Sequence, residues 1–366
     1  MREAVGSSSA VCGVSCPKAH EAGFPRMGGP LFRQATVFLA GRLAVAGLLA
    51  VFLTAGLPGL ALAAKDKPAA TPAAAATAKG TPFYETEAAA VADAAARQEL
   101  LEVGRQFASA VTARTMARFS GKAGQRRLEL LTDPGQAYRD AARADALARL
   151  QAANADLSAS QFFVYADRNP ATQLLLLAYY DAQAKRVAFV GADFISSGKL
   201  RPREDSFITP VGVFEHLPEN WGYRAEGSKN SKGWRGLGAR GSRVWDFGYQ
   251  QAPRQFRQGV YDSQMRLLMH ATDPDQGEPR LGGPDSKGCV RVSAAANAFL
   301  DTRSILDRHY EQIAATDKER DMWLLRRDRS PVSHPGSYLV VGDSTQGNAS
   351  NEQRALQVGR ITENTP

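Results

Sequence analysis

The pattern of apolar and polar residues divides the chain into a helical part followed by a strand-rich part. Between residues 83 and 158, apolar side chains such as Leu100, Val103 and Phe107 recur at helical spacing, and β-branched residues are scarce. A Pro-Gly pair at 134–135 interrupts the pattern, which then resumes. We predict two to four helices that form a helical N-terminal extension over 83–158. We expect no chemistry there, because this part has no His, no Cys and no dense polar cluster.

Apolar runs of strand length replace the helical pattern from about residue 161. The first runs are separated by short polar segments, which is typical of hairpins. A Gly-rich stretch, 222–248, is expected to form long loops with strand pieces. Ser293 is placed to cap a helix over 293–300. We predict strands at 162–165, 174–180, 186–190, 209–214, 266–270 and 336–341.

The N-terminus has the three parts of a secretory signal peptide. Arg33 and Arg42 precede a long apolar run, and the run ends in small residues around Ala63. Its uninterrupted part is shorter than the ~20 apolar residues that span a bilayer, which favours cleavage over a retained membrane anchor. We therefore predict a signal peptide region at 1–63 and an exported protein, located in the periplasm or cell envelope.

Two further segments are expected not to fold. Residues 64–82 are mostly Ala, Pro, Thr and Lys, which cannot bury enough apolar surface, so we predict a disordered linker. The polar end of the chain predicts a flexible tail at 344–366. The formal net charge of +8 is scattered, with no run of basic residues interleaved with aromatics. We therefore expect no nucleic-acid partner, and membrane contact only through an uncleaved signal.

The candidate chemistry centres on Cys289, one of three cysteines in the chain. The other two, Cys12 and Cys16, lie upstream of the predicted cleavage site. A single unpaired thiol in an exported protein, with His270 nineteen residues before it, is typical of a nucleophile and its base. The alternative is that Cys289 is a small buried hydrophobe. One Cys and one His cannot complete a tetrahedral zinc site, so no metal is expected.

The residues around Cys289 indicate how a substrate is held. If 286–291 is extended, Lys287, Cys289 and Arg291 share one face, because side chains alternate along a strand. Two cations beside a thiol favour the thiolate and attract a substrate carboxylate. Gly288 lets backbone amides approach a substrate carbonyl, where they would stabilise an oxyanion.

Taken together, three segments resemble the L,D-transpeptidase catalytic domain, also called the YkuD domain. That family carries a histidine, a spacer, and then Ser/Thr-His-Gly-Cys followed by an apolar residue and Arg or Asn. The matching segments are Thr209-Pro210-Val211-Gly212-Val213-Phe214, Met269-His270-Ala271-Thr272 and Ser286-Lys287-Gly288-Cys289-Val290-Arg291. The resemblance covers a catalytic domain at 161–305, which a C-terminal helix and strand in 306–343 complete. It implies an α+β fold that is mainly a β-sandwich.

The resemblance also implies a reaction on peptidoglycan stem peptides. The thiol forms a thioester, which passes to an amine of a second stem or to an envelope lipoprotein or cell-wall protein, and no cofactor is needed. Lys287 stands where the family has its second histidine. Two alternatives stay open: an L,D-carboxypeptidase that uses water as acceptor, and a catalytically impaired cell-wall-binding protein. The implied site residues are Cys289 as nucleophile, His270 as base, and Ser286, Lys287, Gly288 and Arg291 at the oxyanion and substrate positions.

Overall fold

The computed structural model describes residues 81–119, 125–202, 205–317 and 322–345. The predicted signal peptide region, all but the end of the predicted linker and all but the start of the predicted tail lie outside the described residues. Within those four ranges, no helix combines the length and the apolar character that crossing a bilayer demands.

In the described ranges, five helices precede the strands and two more lie between the last two strands. The helices are α1 (Phe83–Ala89), α2 (Ala94–Phe107), α3 (Ala113–Phe119), α4 (Gln125–Thr132), α5 (Gln136–Ala152), α6 (Ala294–Thr302) and α7 (Arg308–Thr316). The strands are β1 (Gln161–Asp167), β2 (Leu174–Asp181), β3 (Arg186–Phe194), β4 (Gly212–Glu215), β5 (Tyr223–Arg224), β6 (Arg243–Phe256), β7 (Gly259–Ala271), β8 (Val290–Val292) and β9 (Tyr338–Gly342). This mixture confirms the α+β class.

The strands form two mixed sheets. The large sheet has the order β3-β2-β1-β9-β4, in which β9 is parallel to β1 and the other pairs are antiparallel. The small sheet has the order β5-β6-β7-β8, in which β7 and β8 are parallel. Single bridges join Ser196 to Arg291 and Gly198 to Ser286. The segment after β3 therefore runs beside the turn that leads into β8.

The central strands of the large sheet are buried on both faces, which explains their continuous apolar runs. One face, which includes Phe163 and Tyr165, packs with helix α5. The other face, which includes Phe162 and Val164, shares a core with helix α2 and with side chains of β6 and β7. The helices of the N-terminal extension thus pack on both faces of the large sheet, in the same compact unit as the strands.

Helix formation over 83–158 is confirmed, but the number of helices is higher than predicted. Five α-helices form there. A π-helical segment at Ala108–Thr112 divides one long helix into α2 and α3, and α1 adds a further helix before it. Leu100, Val103 and Phe107, whose spacing predicted a helix, are fully buried in the core.

β6 and β7 form a long hairpin that the apolar pattern did not predict. β7 runs over 13 residues, whereas the sequence predicted a strand at 266–270. Its first half is exposed or half-buried, so it lacks the apolar alternation from which strands are predicted. The exposed half carries residues such as Asp262 and Gln264, which tolerate water on the strand surface.

Local predictions in the C-terminal part are confirmed. Helix α6 begins at Ala294, and the Ser293 hydroxyl caps it by accepting a hydrogen bond from Ala296 N at 3.0 Å. The last strand forms as β9, close to the predicted 336–341. Because α6 follows β8 directly, the start of this helix fixes the residue at which β8 ends.

Candidate active site

The two strands that carry the candidate base and nucleophile lie side by side. β7 and β8 are parallel, with Met269 opposite Val290 and His270 opposite Arg291. Met269 and Val290 point into the core. Because side chains alternate along a strand, His270 and Arg291 point to the opposite side of the small sheet. We call this side, which carries His270 and Arg291, the outer face.

Cys289 lies one residue before β8 and faces the same side. Its side chain is 2% exposed and packs with Val244 and Leu268 in a small apolar cluster. Val244 is the direct cross-strand neighbour of His270. Cys289 directly precedes Val290, which pairs with Met269, so the thiol and the imidazole lie on adjacent segments of the sheet. The Sγ atom lies 4.0 Å from the carbonyl oxygen of Arg266.

His270 is held as a neutral imidazole. Its Nδ1 lies 2.7 Å from the carbonyl oxygen of Ala271, and because a carbonyl only accepts, Nδ1 carries the proton. The Nε2 atom therefore keeps its lone pair, as a proton acceptor requires. Burial, assisted by the positive charge of Arg291, lowers the pKa of His270 to about 4.

The segment that leads to Cys289 turns, which corrects the prediction that 286–291 is extended. A bend precedes the strand, which begins only at Val290. The Ser286 hydroxyl closes the turn, since it donates to Cys289 O at 2.5 Å and accepts from Gly288 N at 3.0 Å. Such local bonds from a serine side chain compete with extended structure. The predicted alternation of side chains therefore fails before β8.

Gly288 occupies a position that suits glycine alone. Its φ of +135° is rarely adopted by other residues, and a Cβ there would lie 2.8 Å from Met265 Cε. Its carbonyl oxygen accepts a hydrogen bond from Thr209 Oγ1 at 2.6 Å, so the Thr-Pro segment supports the turn. Ser286 and Gly288 thus position Cys289, and their part in binding an oxyanion stays a prediction.

Two cations border the turn. Lys287 is half-buried on the bend. Arg291 Nη1 donates to Asp285 O at 3.1 Å, and the charge of Arg291 contributes to lowering the pKa of His270. Arg291 therefore joins His270 and Cys289 on the outer face.

A Gly-rich loop between β5 and β6, residues 225–242, lies over the thiol, and we call it the covering loop. Its Leu237 packs against the cluster that contains Cys289. Arg235 N, also in the loop, donates to Asp273 Oδ2 at 2.8 Å, which ties the loop to the segment that follows β7. The sequence indicated a loop here, but not that its Leu237 packs against the cluster of Cys289.

Sequence analysis also missed two carboxylates next to the motifs. Asp273 is buried three residues after His270; burial raises its pKa, but the backbone N–H groups that bind it, of which Arg235 N is the first, lower it below the ordinary value. Asp285 directly precedes Ser286 and contacts three arginines. In the sequence, a single acid beside each motif carried no distinct signal.

The outer face suits proton transfer and nucleophilic attack better than metal binding. Cys289 and His270 supply two potential ligands, whereas a tetrahedral site needs four. Across the described ranges, no three His, Cys, Asp or Glu side chains are grouped as metal ligands. A neutral imidazole with an available lone pair near a thiol is the arrangement that acyl transfer through a thioester uses.

Comparison with known proteins adds a distant likeness. No protein-family model and no curated protein matches the chain. Among solved structures, the chain is similar to the helical cell shape determining protein Pgp2 from Campylobacter jejuni, with 13% sequence identity and a TM-score of 0.23. The match covers 56% of this chain and 55% of that chain, so it spans about half the length of each. At this TM-score the likeness does not establish a shared fold.

Proposed function

We propose that this chain is an exported cysteine acyltransferase of the L,D-transpeptidase type that acts on peptidoglycan stem peptides. The observation that carries the proposal is the position of Cys289 and His270 on adjacent segments of one sheet face, with His270 neutral and its Nε2 lone pair available. The sequence motifs around both residues support the same family. The predicted signal peptide supports a substrate outside the cytoplasmic membrane, in the periplasm or cell envelope.

The first half-reaction forms the acyl-enzyme. His270 Nε2 takes the thiol proton of Cys289, and the sulfur attacks the carbonyl carbon between the diamino acid and the terminal D-residue. The C–N bond breaks, and the imidazolium gives its proton to the departing amine. In the second half-reaction an acceptor amine attacks the thioester, its proton passes to His270, and the leaving thiolate of Cys289 takes that proton up.

Burial affects both reacting groups in the resting protein. Because the pKa of His270 is about 4, the imidazole holds a proton weakly at pH 7. We therefore expect a neutral thiol beside a neutral imidazole, and not an ion pair. Because Cys289 is 2% exposed and Leu237 of the covering loop packs against its cluster, we propose that this loop moves to admit the substrate. That movement admits water, which reduces the desolvation that weakens the base.

Lys287 replaces the second histidine that the family has before Gly-Cys. A lysine ammonium donates hydrogen bonds to an oxyanion but is a poor base at neutral pH. Proton transfer therefore falls to His270 alone, and Lys287 contributes charge.

We further propose that the two sheets form the β-sandwich of this family. The support is that side chains of β1 and β2 in the large sheet and of β6, β7 and β8 in the small sheet belong to one apolar core. Opposed sheets with a shared apolar interior are the basis of a sandwich. An experimental structure in which the two sheets do not face each other would contradict this assignment.

Intact-protein mass spectrometry with a stem tetrapeptide donor tests the reaction. We expect the protein to gain the mass of the tripeptide acyl group and the solution to gain a free D-amino acid. Cys289→Ala should abolish the adduct. In the uncleaved chain, the matched control, in which Cys12 and Cys16 are both replaced by alanine, should keep it. An adduct that persists in Cys289→Ala would show that another residue is the nucleophile.

The identity of the acyl acceptor distinguishes the alternative reactions. With an added amine, a joined product indicates a transpeptidase, whereas free tripeptide alone indicates an L,D-carboxypeptidase. An envelope lipoprotein or cell-wall protein is a further candidate acceptor. Two features, Lys287 in place of the family's second histidine and the burial of the Cys289 thiol, favour a second candidate function. This candidate is a catalytically impaired cell-wall-binding protein. Binding to purified peptidoglycan without any thiol adduct, unchanged in Cys289→Ala, would support that candidate.

A further inference from the structure

A cavity lies between helix α3 of the N-terminal extension and the start of helix α6. Its volume is about 570 Å³, which falls within the roughly 300–1,000 Å³ of small-molecule sites. Pro274, in the segment that follows β7, and Ser293, which follows β8, belong to its wall. The lining residues do not include Cys289 or His270, so the cavity is not part of the candidate active site.

Much of the cavity wall is apolar. Phe119 and Leu281 line the cavity and are buried side chains of one apolar cluster. The wall also includes Ala117, Ala294 and Ala295, whose methyl groups occupy little space. Such a wall suits a ligand with an apolar body, because removing apolar surface from water is favourable.

The charged part of the wall consists of Arg114, Arg118 and Glu278. Both oxygens of Glu278 are engaged, since Oε1 accepts from Ala294 N at 2.7 Å and Oε2 lies 2.7 Å from Arg118 Nη2. Arg118 also donates from Nη1 to Pro274 O at 3.2 Å. Glu278 and Arg118 are therefore committed to each other and to the backbone of the wall.

Arg114 is the charged residue of this wall that the described residues leave without a partner. Its side chain is exposed and makes no hydrogen bond or ion pair within the described ranges. It lies four positions before Arg118 on α3, and like charges at this spacing destabilise a helix. Asp193 does not line the cavity; it is fully buried and accepts a hydrogen bond from Ser293 Oγ at 2.6 Å. A negatively charged ligand would therefore give Arg114 the partner that it lacks among these residues.

We propose that this cavity binds a small molecule with an apolar body and one carboxylate, the apolar part against Phe119 and Leu281 and the carboxylate on Arg114. A guanidinium binds a carboxylate through two parallel hydrogen bonds. One uncommitted cation balances the single charge of a carboxylate better than the nearly double charge of a phosphate monoester. Arg114 lies in the helical extension, for which the sequence indicated no chemical role. This binding site does not depend on the reaction proposed for Cys289.

Paired ligands that differ in charge test the site. We use hexanoate, octanoate and 3-phenylpropionate, each beside its neutral amide, and measure Kd on the full chain from backbone amide NMR shifts. Binding should move the signals of Ala117, Ala294 and Ala295, and each acid should bind more tightly than its amide. Arg114→Gln should weaken binding of the acids about three- to tenfold and leave the amides unchanged, because it removes a charged hydrogen-bond partner at an exposed position.

Three further variants sharpen this result. Arg114→Lys keeps the charge and should retain most of the preference for the acids. Ala117→Leu places a larger apolar side chain in the wall and should weaken binding of acids and amides alike. Arg257→Gln removes an equal charge at the tip of the β6–β7 hairpin, where the side chain is exposed, and should leave every Kd unchanged. Equal Kd values of the acids for wild type and Arg114→Gln, with both chains folded by circular dichroism, overturn the proposal, as does a wild type that binds none of the ligands in the cavity.

Discussion

His270 and His216 are both buried histidines with lowered pKa values, yet their surroundings differ. His216 is fully buried, stacks on Tyr310 with ring centroids 4.8 Å apart, and places Nδ1 3.1 Å from Leu306 O and 3.5 Å from Asp307 Oδ1. His270 has a backbone carbonyl as its Nδ1 partner and a thiol on the adjacent segment.

The comparison teaches that a shifted pKa does not by itself identify a catalytic base. Burial is the largest cause of the lowered pKa at both histidines. At His216 the Asp307 carboxylate opposes that effect, and the same carboxylate pairs with Arg243 at 2.7 Å. His216 thus belongs to a buried ionic cluster, which we call the Arg243 cluster and which consists of His216, Arg243 and Asp307. The thiol of Cys289 on the adjacent segment distinguishes His270 as the candidate base.

The two histidines should differ most in their effect on acylation. We expect His270→Asn to lower the rate constant for acylation of Cys289 by a stem tetrapeptide about 10²- to 10⁴-fold, the usual contribution of a general base. His216→Asn should leave that rate within about threefold, because His216 touches neither reacting group. Time-resolved intact-protein mass spectrometry measures both. Equal losses in the two variants would show that burial, and not position, sets their importance.

For the stability of the fold, we expect the Arg243 cluster to matter more than His270. Asp307→Asn leaves the guanidinium of Arg243 buried without its counter-ion, so we expect a loss of about 3–5 kcal/mol in the free energy of unfolding. Burial favours the neutral form of Asp307, but the charge of Arg243 outweighs it and lowers the pKa to about 2. Urea unfolding followed by circular dichroism measures the loss.

An exposed ion pair provides the control for that measurement. Arg326 and Asp328 form a pair whose side chains are largely accessible, and Asp328→Asn should cause no measurable change. If Asp307→Asn is equally harmless, the Arg243 cluster contributes nothing to stability.

The sequence indicated the candidate residues of the site, but not the structure that holds them. Cys289 and His270 stand in short motifs, which can be read from neighbouring residues alone. The turn at Ser286 and the contact of Leu237 with the thiol cluster depend on side chains that meet only in the folded protein. The cluster around Asp285 was missed for the same reason, because Arg201 lies 84 residues from it in the chain.

A local sequence pattern also could not predict where the N-terminal helices pack. Their periodicity predicted helices, and helices form. Their packing on the large sheet was indicated only indirectly, by the continuous apolar run at 174–180. A strand that is apolar on both faces needs a cover on each, and here α5 supplies one of them. Composition alone could not assign that cover to residues 83–158.

The pH dependence of stability separates His270 from the rest of the protein. Its pKa is about 4 when folded and about 6.5 when unfolded, so the unfolded chain binds the proton first as the pH falls. Stability is therefore lost between pH 6.5 and pH 4. We expect wild type to lose about 3 kcal/mol more than His270→Asn across this window.

The difference between the two chains is the quantity to measure, since other groups titrate in the same window. Burial raises the pKa of Asp193 to about 6, so the folded protein binds that proton first and gains stability as the pH falls. His216 acts in the same direction as His270. Both contributions are present in wild type and in His270→Asn and cancel in the difference. A difference that does not change with pH would mean that His270 is not buried in solution.

The smallest expected effect concerns Lys287, which distinguishes this site from the family pattern. Lys287→Ala removes a half-buried cation near the thiol and should slow alkylation of Cys289 by iodoacetamide at pH 7 up to about fivefold. The reason is that a neighbouring charge contributes about 1 kcal/mol at a partly exposed site. The rate–pH profile of Lys287→Ala should move to higher pH, while Lys287→Arg keeps it. Lys185→Asn, at the exposed β2–β3 turn where Asn tolerates the positive φ, removes the same charge far from the site and should change nothing. Identical profiles for wild type and Lys287→Ala would leave Arg291 as the cation that acts on the thiol. What separates His270 from His216 would then include the neighbouring charge of Arg291 as well as the thiol.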